Sequence, residues 1–419
     1  MNRAFYNGIS GTKTHQFGID TWANNIANVN TNGYKANLPQ FTDLFNDKIA
    51  QISNTGPVQS DQGFGARANS SAISQKQGSV ENSDRMLDVA IAGEGWFGVS
   101  SSDGERVQYT RNGSFSHNKE GHIVNSDGAY LLGTLDPIIK SGRLDQMIPS
   151  VALNSVSGQK PIKLPTTLTL GAVPTSTVNL HGNLGVEGKP TRFASHITGA
   201  EGKKQLLEIN ITKTDEKPAT GSIWNLTASI KDLDGNLLFD SEPSEIIFDG
   251  HGAIKDFEPP LIDFEGKNIN ISLGENNTGL VTLDSADIGK DIQIDGIAQG
   301  NLKHYFINKE GDIMANFDNG RQSAVGKLAL FHFQNDQGLV KIGDNRFEAS
   351  SNSGDPLFYK DDEGRAILGT KLLTNMLEKS NTSTAEALTQ LIVMQKAFDA
   401  NAKSITTGDQ LIQAALRML

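Results

Sequence analysis

Helical periodicity is confined to the two ends of this chain, and that asymmetry limits the possible folds more than any other feature. From Thr384 to Leu419, the residues Leu391, Phe398, Ile405, Ile412 and Leu419 recur at intervals of seven, with Leu388, Ala402 and Leu416 on the neighbouring seam. A repeat of this length predicts a helix that offers one apolar stripe to a partner helix. Ser383 or Thr384 is placed to cap its first turn, with Glu386 and Glu378 nearby, and Arg417 complements the dipole at its end. At the other terminus Ile19, Trp22, Ala23, Ile26 and Ala27 share one predicted helical face. Asn24, Asn28 and Asn32, spaced by four, fall on the opposite face, and Gly33 reads as the C-cap. Asn is a poor helix-interior residue, so three on one stripe need a reason. Capping and solvation supply one; amide contacts to adjacent chains supply another.

Between the helical ends, short alternating runs are punctuated by Gly, Asn and Asp, as in Leu87 to Ala92, Leu206 to Ile211, Ser222 to Ile230 and Lys327 to Phe333. Turn signals at Lys119-Glu120-Gly121, Ser126-Asp127-Gly128, Leu233-Asp234-Gly235 and Lys309-Glu310-Gly311 separate hairpin arms of similar length. The predicted class is mixed and mainly β. Composition shifts near Ile162 to Pro165 and Asp287 to Lys290 divide the chain further. They predict a terminal helical unit (1–35 and 378–419), an extended connector without periodicity (36–80), a β-rich domain (81–163 and 291–377) and an inserted β domain (164–290).

Two isolated helices are marginal in water because nucleation is costly. Copies from neighbouring subunits would supply the missing partners, which predicts a self-assembling protein whose ends order on association. Composition narrows the remaining function classes. Lys plus Arg is 37 against 48 for Asp plus Glu, a formal charge of −11, and no long basic run is present to pair with a nucleic-acid backbone. Zero Cys excludes disulfides, thiolate nucleophiles and zinc-thiolate sites. The segment Met1 to Asn7 has no apolar core and no long apolar run follows, so neither a cleavable secretory signal nor a membrane span is expected.

Motifs with chemical precedent fail on context. Gly93-Glu94-Gly95-Trp96-Phe97-Gly98 matches a dinucleotide fingerprint and follows a predicted strand, but a polar turn (VSSSDGE) follows it where a helix is required, and Trp96 and Phe97 crowd the phosphate path. Asp232-Leu233-Asp234-Gly235-Asn236 imitates a calcium loop, yet Pro243 stands where the bidentate Glu belongs. His117 and His122 flank a turn that reads as solvated loop. No residue is a candidate for catalysis, cofactor binding or metal ligation.

The segment Ala23 to Lys35 (ANNIANVNTNGYK) resembles the N-terminal signature of the bacterial flagellar rod and hook proteins. Leu87 to Phe97 (LDVAIAGEGWF) followed by Tyr109 to Phe115 (YTRNGSF) is similar to that family's tube-domain motif, and Leu388 to Ala402 with Ile405 and Asp409 to Ile412 resembles its C-terminal helix. These stretches cover about half the chain, on both flanks. Gly296 to Leu302 (GIAQGNL), Ile307 to Gly311 (INKEG), Gly326 to Leu330 (GKLAL), Gly338-Leu339 and Gly343 to Asn345 resemble the hook branch of the family, whose rod members are usually shorter. In the middle, the best landmark is Val178 to Leu184 (VNLHGNL).

The resemblance implies paired terminal helices lining a channel, the β-rich domain forming a tube, and the inserted domain outside it. It also implies many copies in a helical polymer that transmits torque as a flexible joint, meeting rod, hook-cap and hook–filament junction proteins. Export through the flagellar apparatus and an extracellular position are implied in the same way. The candidate assembly residues are Ile19, Trp22, Ala23, Asn24, Asn25, Ile26, Ala27, Asn28, Gly33, Tyr34, Leu388, Leu391, Phe398, Ala402, Ile405, Ile412, Leu416 and Leu419. A distal rod or hook-like paralogue is the alternative within the family, and an extracellular β-rich adhesin or binding module is the alternative from another class.

Overall fold

Each end of the chain is helical and the rest is β, as its periodicity predicts: helix α1 spans Asn2–Ala27 and helix α2 spans Thr384–Arg417. The computed structural model describes residues 2–44, 46–53, 56–63, 65–101, 106–136, 139, 142–215, 220–274, 279–284 and 289–417. Ser383 caps α2: its backbone oxygen receives Ala387 N–H at 2.9 Å and its hydroxyl lies 3.4 Å from Glu386 N. Helix α1 ends earlier than its Asn stripe suggests, so Asn28 and Asn32 lie in turns beyond it. Gly33 is likewise no C-cap; it has φ +67° six residues past the helix.

A 14-stranded sheet runs from Arg143–Leu144 through Thr169–Leu170, Gly300–Ile307, Asp312–Phe317, Gln322–Leu328, Tyr130–Leu135, Trp96–Ser100 and Val107–Thr110 to Arg346–Glu348 and Val340–Gly343. Its core contains Phe97, Phe115, Ile123, Leu131, Ile313, Phe317 and Leu328, all essentially inaccessible. The chain leaves this sheet after Leu170 and returns at Gly300. Between those points it builds a five-stranded and a six-stranded sheet around one further core that includes Val178, Leu180, Ile209, Phe248 and Ile271. Strand Ser222–Lys231 shows why: Trp224, Leu226, Ala228 and Ile230 alternate into that core while their neighbours stay half-buried. The glycines of the four predicted turns, Gly121, Gly128, Gly235 and Gly311, all have positive φ.

The segment expected as a connector is paired. Asn37–Asp43 runs antiparallel to Ala66–Ile73, and Asn46–Ser53 to Gly56–Gly63. Periodicity missed the first pair because alternation reports one-sided burial, and most of its side chains are exposed or half-buried on both faces. The fingerprint-like glycine run leads directly into strand Trp96–Ser100, with Trp96 and Phe97 buried, so no helix opens there.

Candidate assembly interface

Helices α1 and α2 pack antiparallel, and glycine sets how closely. A Cβ on Gly8 would lie 2.8 Å from Ile405 Cγ1, one on Gly11 2.5 Å from Asn401 Oδ1, and one on Gly18 3.0 Å from Met394 Sδ. The buried row of α1 is Gly8, Gly11, Thr14, Gly18, Trp22 and Asn25. Ile19 and Ile26 are half-buried beside it, whereas Ala23 and Ala27, expected on the inner face, are exposed. A face chosen by hydrophobicity misses this row because glycine has no side chain to score; the available signal is three glycines inside a helical pattern at spacings of three and seven.

On α2 the heptad positions Leu391, Phe398, Ile405 and Ile412 are half-buried, and the second seam is Met394, Asn401, Gly408 and Ala415. Leu388 and Leu416, assigned to that second seam from sequence, are instead 46% and 68% exposed; Ala402 is half-buried. Leu419 lies outside the described residues. Helix α1 also leans on strand Ala66–Ile73, where Thr14 Oγ1 donates to Ala66 O at 2.9 Å. The expectation that both stripes stay unpartnered in one molecule is therefore corrected: the inner stripes satisfy each other. Among the described residues of α2, Leu388, Ile392, Val393, Leu411 and Leu416, on the flanks and back of that inner face, are all at least 46% exposed.

Both helices meet the β body at one polar joint. Asn25, 0% exposed, donates to Asn37 O at 2.7 Å and accepts from Asn37 N and the Tyr34 hydroxyl. Asn381 receives Ala36 N–H at 2.7 Å and donates to Ser74 O and Lys76 O. Glu378, just ahead of α2, lies 2.8 Å from Lys35 Nζ and 3.5 Å from Arg111 Nη1, and accepts Gly78 N–H at 3.0 Å. All three charged side chains are at most 5% exposed. Burial holds the Lys35 ammonium below its usual pKa, and the Arg111 charge adds to that, outweighing the attraction of Glu378. Gly33 donates its N–H to Glu378 O at 2.6 Å, and a Cβ there would lie 2.5 Å from Arg111 C, so the positive φ and the close approach both require glycine. Asn25, Gly33 and Tyr34 thus serve the chain's own packing.

Burial pushes the Tyr34 and Tyr109 phenols up to about 12, and Tyr305 is raised in the same way. Their folded-state pKa values exceed the unfolded ones, so the stability they contribute is complete below pH 10 and is lost as pH rises through 12. Each of the first two contributes about 3 kcal/mol to that loss. Lys35 and Lys341 act oppositely, since their lowered pKa values make stability rise with pH up to the ordinary lysine value. Denaturant titrations are expected to show stability falling steeply above pH 10, with a shallower fall in Tyr109→Phe. An equal slope in that variant would contradict the assignment.

A polar cleft of about 470 Å³ lies beside the joint, lined by Asn24, Asn28 and Asn32 from the end of α1 and the turns after it, and by Asn112, Lys341 and Asn345 from the β body. The three asparagines foreseen as one helical stripe are thus brought together by a helix end and its following turns.

Family models describe parts of the same scaffold. The model for the flagellar hook protein FlgE/F/G D1 domain matches residues 90–184. The flagellar basal body rod FlgEFG C-terminal model matches 373–418, and the flagella basal body rod protein model matches 5–35. The flagellar hook protein FlgE of Borreliella burgdorferi is 30% identical over 459 aligned positions covering all of both chains. The chain belongs to the flagellar hook protein family. Its relative from Salmonella typhimurium is 25% identical, covering 99% of this hook-family chain and all of that one. The crystal structure of Helicobacter pylori flagellar hook protein FlgE2 shares the fold at a TM-score of 0.51 and 17% identity, covering 71% of this chain and all of the other. A hook protein has a structural role in the flagellar hook and basal body, and this chain is a structural subunit of that kind. The N- and C-terminal models fall on α1, α2 and the joint between them.

Proposed function

We propose that copies of this hook-family chain polymerise through repeated heterologous contacts into an open helical tube that transmits torque from rod to filament. The observation that carries this reading is the set of large apolar side chains on the flanks and back of α2, which one molecule leaves in water. In the polymer the α1–α2 pairs line the channel, residues 81–163 and 291–377 form the tube wall, and residues 164–290 form an outer domain. The outer domains shift against each other as the tube bends. Of the candidate residues, Leu388 and Leu416 face neighbouring copies, and Leu391, Phe398, Ile405 and Ile412 hold the pair that presents them. The reading is of a non-enzymatic, extracellular subunit exported through the flagellar apparatus and meeting rod, cap and junction proteins.

Electron microscopy of concentrated full-length protein tests it. The wild type is expected to form tubes, and Ile392→Asp or Leu411→Asp to form none while retaining the monomer's melting profile. A small closed oligomer with a saturable ligand, as a binding module would give, would overturn the reading.

A further inference from the structure

We infer that a lysine-rimmed cleft of the β-rich domain receives Leu261 from the inserted domain of a second copy. This rests on the polymerisation reading above and names one contact through which the copies meet. The cleft, of about 620 Å³, opens where Lys309 and Glu310 face residues 366–373. Its floor is apolar: Leu368 and Leu372 belong to the core of the 14-stranded sheet, and Ile367 beside them is 39% exposed. Its rim is cationic. Lys327 is held by Asp312 at 3.2 Å, whereas Lys309 and Lys371 are exposed and have no ion pair among the described residues. Glu310 is the one carboxylate in the lining, so the walls stay net positive even with Lys327 neutralised.

A recess of this kind suits an apolar side chain accompanied by carboxylates, and the chain itself carries one. Leu261 is 92% exposed, more than any other large apolar side chain described. It follows Pro259 and Pro260, whose rings fix the backbone ahead of it, so docking costs little conformational freedom. Asp240, Glu242, Glu245, Asp256 and Glu258 line a groove with it, and all five are exposed and without an ion pair among the described residues. No basic residue lines that groove. The two surfaces therefore match in charge, negative around the projection and positive around the recess. They also belong to different domains, since Ile262 and Phe264 next to the projection lie in the inserted domain's core and the floor of the recess lies in the other. A projection and a recess on separate surfaces of identical molecules make a heterologous contact, which repeats along an open polymer instead of closing a dimer.

The test exploits a sequence without cysteine. Full-length Leu261→Cys chains and nitrogen-15-labelled Ile367→Cys chains are mixed, grown into tubes and treated with a short bismaleimide. Covalent dimers that join a light peptide containing position 261 to a heavy peptide containing position 367 are expected. Tubes without such dimers would overturn the inference. In parallel, Lys309→Glu with Lys371→Glu is expected to raise the critical concentration for polymerisation about tenfold, and adding Glu242→Lys with Glu258→Lys to bring it back within about threefold of wild type. All four residues are exposed, so these variants are expected to keep the wild-type melting profile. Doubly reversed chains that polymerise like the wild type, or a fourfold variant no better than the double one, overturn this inference alone. A wild-type chain that never polymerises overturns both it and the polymerisation reading.

Discussion

Glu378→Gln is expected to lower the unfolding free energy by about 3–5 kcal/mol, because it leaves two buried cations without their carboxylate. Lys35 Nζ and Arg111 Nη1 both approach this side chain, at 2.8 and 3.5 Å, and neither cation is more than 5% exposed. The amide retains an acceptor for Gly78 N–H, so the loss reports charge rather than shape. Urea titration of the full chain should show the midpoint falling with an unchanged slope. Adding Lys35→Met to the variant should recover part of the loss, since one uncompensated cation disappears with it. A loss under about 1 kcal/mol would mean that water reaches the joint and that its charges are screened.

The second large effect concerns the helix pair. Ile405→Asp places a carboxylate against Gly8 of α1, where the native side chain is already in close contact. A charge at that half-buried point, together with the lost methyl groups, is expected to cost about 3 kcal/mol and to separate α1 from α2. Tube formation should disappear and helical circular dichroism should fall. Signals from Trp96 and Trp224, buried in the two β regions, should persist. Phe398→Asp is expected to act in the same direction. Filaments of wild-type appearance from either variant would show that the pair is not what presents the outer face.

The consequence for assembly is that one side of each terminal helix is already satisfied within the molecule. A coiled-coil stripe in a sequence announces a partner without saying which one. Here Ile405, with Met394 and Asn401 of the second seam, meets the glycine-bearing face of the same chain. On the proposed reading, subunit contacts fall to residues such as Ile392 and Leu411, which are exposed and carry no heptad signal of their own.

Local rules made much of this legible in advance. The seven-residue repeat located α2, a hydroxyl ahead of Glu386 narrowed its cap to Ser383 or Thr384, and alternation located strands such as Ser222–Lys231. The turn glycines were legible because only a positive φ explains their placement between hairpin arms. The inner row of α1 was not, since hydrophobicity has nothing to register at Gly8, Gly11 and Gly18. The strand pair Asn37–Asp43 with Ala66–Ile73 escaped too, because pairing by backbone leaves no alternating imprint when both faces meet water.

By itself, then, the amino-acid order determined which stretches coil, which extend and where they turn, because those choices depend on neighbours a few positions apart. The tertiary structure alone decided that Lys35 and Glu378 share one buried site, 343 positions apart, and that Asn32 and Asn345 wall one cleft. Such meetings depend on how whole sheets and helices stack, and a charge or an amide looks the same in the sequence whether folding leaves it in water or encloses it.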